Sequence, residues 1–168
     1  MYKNREAMEN FDKIKTLYFK RSYFALDGLW FIMVEKRFPL KKALKIDEDV
    51  WRVLPKIQAR QVKKLLNLNE DNLQNFIRGI KVKLEAEDYQ YEIKLKNDED
   101  LTLLIKKCPW FEIIKRSQRE YVLPNDICQI DFQIWADEFQ LNLKVKILSC
   151  MCWKDKNCKI CFMSQDKI

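Results

Sequence analysis

An α+β fold is predicted by three features of this 168-residue sequence. Apolar residues recur at helical spacing through the first half, the period switches to two at about Leu84, and a second pair of strand-like segments closes the C-terminal end. The expected architecture is a helical region over residues 1–84 followed by a small α/β sandwich over 85–168. In the second part a β-β-α-β-β order builds an antiparallel sheet with helices packed on it. The length suits one compact unit with a sizeable core.

The elements follow in order. From Met8 to Val34 the residues Phe11, Ile14, Leu17, Tyr18, Phe24, Leu29, Ile32 and Met33 keep helical spacing. They predict one long helix or two, with Gly28 permitting a close approach or a break. Phe38-Pro39 ends this segment, and Leu40 to Ile46 is a short helical piece. Asp47 through Trp51 reads as an N-cap and acidic first turn of a helix running to about Leu66, which Pro55 kinks or restarts. Asn69 or Asp71 caps a further helix through Asn72 to Ile80. Tyr89 to Lys96 alternates with period two, Asn97 to Asp100 makes a turn, and Leu101 to Lys107 completes a hairpin. Trp110 to Arg119 is helical in pattern. Asn125 or Asp126 caps a helix with Ile127, Ile130, Ile134, Trp135 and Phe139 on one face. Strands at Leu143 to Leu148 and Ile160 to Met163 flank a polar turn, Lys154 to Asn157.

Composition narrows the function classes. With 48% hydrophobic residues, two glycines and four prolines, the sequence has none of the low-complexity signature of disorder. No apolar run reaches the roughly 18 residues that cross a bilayer, and the N-terminus lacks a signal-peptide core. The expectation is a cytoplasmic protein with no membrane partner, whose cysteines are thiols, metal ligands or catalytic groups. The net charge is +7, from 32 Lys+Arg against 25 Asp+Glu. The cations are dispersed among acids, and Lys41-Lys42, Lys63-Lys64 and Lys106-Lys107 are isolated pairs. A solvated lysine-rich surface is favoured over nucleic-acid binding, which needs a concentrated basic face. The chain has no histidine. Ser-His-Asp and Cys-His catalysis, mixed Cys-His zinc sites and a proximal-His haem are therefore excluded for this chain alone.

Four of the six cysteines fall between Cys150 and Cys161. In a hairpin closed at Lys154 to Asn157, Cys152 and Cys158 come out roughly opposite each other, close enough to share a metal or a disulfide. Strand alternation puts Cys158 and Cys161 on opposite faces, which argues against a zinc knuckle. The preferred metal set is Cys108, Cys128, Cys152 and Cys158, holding zinc or iron. Core cysteines that bind nothing remain the alternative. Pro109 suits the first turn of a helix, which places Cys108 at or near its N-cap, where the helix dipole favours a thiolate. Cys108 is accordingly a candidate nucleophile or metal ligand. In the helical half, Asp27 and Glu35 lie among apolar residues. Arg60 is placed to pair with one of them, and Trp30 and Trp51 are candidate walls of a ligand pocket.

The segments Ala25-Leu26-Asp27-Gly28-Leu29-Trp30-Phe31, Val34-Glu35, Ala43-Leu44, Asp47, Val50-Trp51 and Ala59-Arg60 are similar to an uncharacterised family of small prokaryotic cytosolic proteins. Cys108-Pro109-Trp110, Cys128, Trp135-Ala136 and Met151-Cys152 with Cys158 continue the match. That family resembles, more distantly, the L-2-amino-thiazoline-4-carboxylic acid hydrolase-like proteins and the 4-vinyl reductase small-molecule-binding domains. Both end in a hairpin with a cysteine after a turn, often with Gly-Asp where this chain has Lys154-Asp155. The resemblance implies an α+β ligand-binding domain and permits hydrolase chemistry.

Two functional expectations result. The first is a small-molecule- or metal-binding protein with a cysteine-lined site. If it is an enzyme, it is a hydrolase of a small heterocyclic or amide-like substrate, with Cys108 as nucleophile and Asp27 or Glu35 as acid-base group. The second is a non-enzymatic metal or redox sensor or adaptor that forms a homodimer through its helical half.

Overall fold

The computed structural model describes residues 2–96, 100–119 and 126–164. The fold is α+β. Four helices come first: α1 (Tyr2–Glu35), α2 (Leu40–Trp51), α3 (Leu54–Leu65) and α4 (Leu73–Ala86). Strands β1 (Gln90–Leu95) and β2 (Leu101–Lys107) follow, then helices α5 (Pro109–Arg116) and α6 (Ile127–Glu138). Strand β3 (Leu143–Ser149), a single 3-10 turn (Met151–Trp153) and β4 (Cys158–Ser164) complete the chain. The chain divides into two compact units, Met1–Leu44 and Lys45–Ile168. The boundary therefore precedes the one expected at residue 84, because α3 and α4 pack into the sheet unit.

The first unit is dominated by α1, one uninterrupted helix. A Cβ placed on Gly28 meets nothing within 4 Å, so this glycine provides neither a break nor a close approach. Phe11, Ile14, Tyr18, Phe19 and Leu26 are all more than half exposed on this helix.

In the second unit the helix boundaries follow proline and cap chemistry. Pro55 occupies the first turn of α3, where its missing N–H costs no hydrogen bond, so the expected helix over 47–66 is two helices. Asp47 then lies inside α2 as a buried residue and does not cap. The cap of α4 is Asn72, whose side-chain oxygen accepts from Asn75 N at 2.8 Å, and neither Asn69 nor Asp71 takes that place. The helix continues to Ala86, beyond the change of period at Leu84. Asp126 precedes α6 without a side-chain cap bond, and Asn125 lies outside the described residues.

The sheet is antiparallel throughout, in the order β1-β2-β4-β3. Leu101, Leu103 and Ile105 of β2 and Ile160 and Phe162 of β4 point into a core completed by α3, α4 and α6. Phe162 meets Phe76 at 5.3 Å and Phe132 at 6.1 Å between ring centroids, and Phe76 meets Phe139 at 5.6 Å. These edge-on and tilted contacts weld the helices to the sheet.

Gly79 makes room for the Phe139 ring. A Cβ there would stand 2.7 Å from Phe139 Cζ, inside van der Waals contact with a fully buried ring. Gly79→Ala should therefore lose about 1–3 kcal/mol in urea unfolding through overpacking. Gly28→Ala, in open space on a helix, should be neutral or gain up to about 1 kcal/mol.

Candidate functional site

The second unit encloses a small cavity of about 20 Å³, lined by Cys108, Cys128, Cys150 and Cys158 with Tyr89 and apolar side chains from the sheet and α6. Its volume slightly exceeds the roughly 10–15 Å³ that one water needs.

Each cysteine reaches the cavity for a local reason. β2 runs into α5 at Cys108-Pro109, and the proline at the first helical position fixes Cys108 as the N-cap. Its sulfur accepts from Phe111 N at 3.5 Å. The placement expected for Cys108 therefore holds, but the expected activation does not. Burial outweighs the backbone donors and pushes the Cys108 thiol above its ordinary range. Tyr89, just before β1, lines the cavity beside Cys108 and works against that rise. Cys128 lies in the first turn of α6, and burial raises its thiol as well.

The terminal hairpin departs from the expected geometry. β3 ends at Ser149 behind an irregularity between Ile147 and Ser149, and the chain then turns through Met151–Trp153. Cys152 is carried off the ladder, so Cys150 and not Cys152 faces Cys158, with sulfur atoms 3.9 Å apart. The turn is held by Cys150 N donating to Asp155 Oδ2 at 2.9 Å and by Ser149 Oγ donating to the Asn157 carbonyl at 2.9 Å. Lys154 closes it with φ 71°, a left-handed conformation that glycine adopts without strain. The missing glycine therefore leaves the turn geometry in place at some conformational cost.

Cys150 is the electrostatic centre of the cluster. Its sulfur accepts from the Cys158 thiol at 3.9 Å, while its carbonyl accepts from Trp153 N at 2.8 Å. The neighbouring thiols, Cys152 first and then Cys158, favour the charged form and hold its pKa below the ordinary thiol range against the effect of burial. The Cys152 and Cys158 thiols are pushed up, first because they donate to Cys150 and then by burial. Met151 N adds a bond to Cys158 at 3.2 Å. Cys161 faces the other side of the sheet, within 3.7 Å of Thr102 Oγ1. Among the described residues, no three Cys, Asp or Glu side chains already stand at metal-coordinating positions.

A buried ionic group adjoins the thiols. Lys83 Nζ stands 3.1 Å from both Glu87 Oε1 and Asp131 Oδ2. Trp110 Nε1 donates to Glu87 Oε2 at 2.8 Å. Trp51 packs edge-on against Trp110 at 5.3 Å and lies 5.9 Å from the ammonium, so it covers this network and is itself buried. The second oxygen of Asp131 has no hydrogen-bond partner among the described residues. Burial, opposed by Lys83, raises the Asp131 pKa to about 6. Sequence reasoning missed this group, although Lys83 and Glu87 at i,i+4 and a lone Asp131 between Ile130 and Phe132 are signals for it.

The other expected site residues are not among those that line the cavity. Arg60 forms a two-point pair with Glu138, Nε to Oε2 at 2.7 Å and Nη2 to Oε1 at 2.9 Å, in place of Asp27 or Glu35. Asp27, Trp30 and Glu35 belong to α1 in the first unit, where Trp30 is exposed.

Residues 7–164 match the model of a family of unknown function, DUF6125. The chain belongs to that family. No curated protein matches the sequence. Among solved structures, the DUF6125 chain is similar to trafficking protein particle complex subunit 3 from Naegleria fowleri, determined covalently bound to palmitic acid. The TM-score is 0.56 at 11% identity, over 86% of this chain and 93% of that one, which is a likeness of fold.

The raised pKa of Asp131 has a definite sign in stability. The folded chain binds this proton more tightly than the unfolded chain does, so the contribution of Asp131 falls as pH rises from its ordinary 3.8 to about 6. Urea unfolding across that window should show this downward component in the wild type and its loss in Asp131→Asn. An unchanged slope in the variant would remove Asp131 as its source.

Proposed function

We propose that this protein is a ligand-binding or adaptor domain whose working centre is a thiolate metal site formed by Cys108, Cys128, Cys150 and Cys158. One observation carries the reading: four of six cysteines, from separate regions of the sequence, wall a single cavity of about 20 Å³. Soft donors around a space for one small ion suit zinc or iron. Zinc–sulfur bonds of about 2.3 Å in a tetrahedron require sulfur atoms about 3.8 Å apart. Cys150 and Cys158 stand at 3.9 Å, and an ion would have to draw the other two sulfurs in, since no three donors stand at coordinating positions among the described residues. Cys150 supplies the thiolate, and the buried Cys108, Cys128 and Cys158 thiols would release protons as the ion enters. Four-thiolate coordination supplies folding free energy and leaves no open position, so the centre is a structural or sensing one.

Hydrolysis has less support. The Cys108 thiol is raised by burial, opposite to the need of a nucleophile. The adaptor side of the reading gains from α1, whose exposed Phe11, Tyr18, Phe19 and Leu26 are of the kind that mark interaction surfaces. The likeness to a subunit of a trafficking complex points the same way. The palmitic acid of that subunit has no counterpart in a cavity sized for an ion.

Zinc titration of the metal-free protein against a chromophoric chelator tests the proposal. One equivalent should bind with submicromolar affinity, protect four thiols from a disulfide reagent and raise Tm by several degrees. Cys150→Ser should weaken binding at least tenfold, and Cys161→Ser should leave it unchanged. Equal uptake by the wild type and Cys150→Ser, or equal loss in both variants, would contradict the assignment.

A further inference from the structure

The outward face of the sheet is not used by the thiol site. Strand alternation turns Lys144, Lys146 and Leu148 of β3 and Lys159, Cys161 and Met163 of β4 away from the core. Lys146 pairs across the ladder with Cys161, Lys144 with Met163, and Lys159 with Leu104 of β2. Glu92 of β1 is the carboxylate on this face among the described residues. It is engaged by Lys106 and lies 3.9 Å from Lys94. Lys144, Lys146 and Lys159 are exposed and pair with no acid among the described residues, as are Lys154 and Lys156 of the adjoining turn. Asp155, between the last two, bonds to Cys150 N through one oxygen. Beside them Leu148 is 48% exposed and Trp153 46%.

We propose that this sheet face and its terminal turn form a peripheral docking surface for an anionic lipid bilayer, with the lysines on the headgroups and Trp153 and Leu148 in the interfacial layer. Charge complementarity selects an anionic partner, because the cations of β3, β4 and their turn outnumber the acids there. Two features select a lipid surface over a single-stranded nucleic acid. Four-stranded sheets that take up single strands present aromatic rings for base stacking, and Thr102, Leu104, Cys161 and Met163 offer none. Tryptophan beside lysines is the composition that settles at a membrane interface. No described helix is long and apolar enough to cross a membrane, so the contact is peripheral. Each lysine near an anionic surface strengthens binding roughly fivefold.

Co-sedimentation of the full chain with phosphatidylcholine vesicles, with and without phosphatidylserine, tests this. Binding should require phosphatidylserine, weaken with added salt, and fall roughly 25-fold in the Lys144→Ala/Lys146→Ala double variant. Lys94→Ala, at a lysine already paired with Glu92, should bind within about twofold of wild type. Trp153→Ala should weaken binding and abolish the blue shift of tryptophan emission on vesicles, with Tm unchanged. Equal binding to both vesicles, an unaffected double variant, or tighter binding to a single-stranded oligonucleotide that the double variant loses would overturn the proposal.

Discussion

The irregularity between Ile147 and Ser149 shifts the pairing of β3 with β4 by one residue, and the candidate site depends on that shift. Had the register of Leu143 to Ile147 continued, Ser149 would have faced Cys158; the shift sets Ser149 opposite Lys159 and brings Cys150 level with Cys158. The 3-10 turn closes with Trp153 N donating to the Cys150 carbonyl at 2.8 Å and leaves the Cys158 sulfur on the core face 3.9 Å from that of Cys150. Burial alone would raise every thiol in the cluster. The neighbouring Cys152 and Cys158 thiols oppose that at Cys150, whose pKa is lowered while theirs are raised.

The Lys83, Glu87 and Asp131 network beside the cavity gives little net stability. Its ammonium and two carboxylates are buried, and desolvation offsets much of their attraction. Its position is informative all the same. Trp51, Trp110 and Lys83 tie α2, α5 and α4 together, and Asp131 lies one helical turn from Cys128. Removing any one partner would leave the others charged and buried, which typically costs about 3–5 kcal/mol. The network therefore fixes how α6 presents Cys128 to the cavity.

The architecture was legible where local chemistry decides it. Period-two alternation located both hairpins, Cys108-Pro109 marked the start of α5, and the alternation of Cys158 and Cys161 placed them on opposite faces. What escaped depends on contacts between elements distant in sequence. The exchange of Cys150 for Cys152 follows from a ladder irregularity that no single residue announces. Arg60 pairs with Glu138, which is far along the chain, and Trp51 serves a buried ion network that only tertiary packing assembles. The basic charge seemed dispersed in sequence, yet lysines two apart in β3 fall on one face and meet Lys159 of the neighbouring strand.

X-ray absorption at the metal edge of the zinc-loaded protein bears most directly on the thiolate centre. Four sulfur neighbours at about 2.3 Å, retained in Cys152→Ser and lost in Cys150→Ser, are the expected result. A shell dominated by oxygen or nitrogen, or one that depends on Cys152 and not on Cys150, would contradict the site described here.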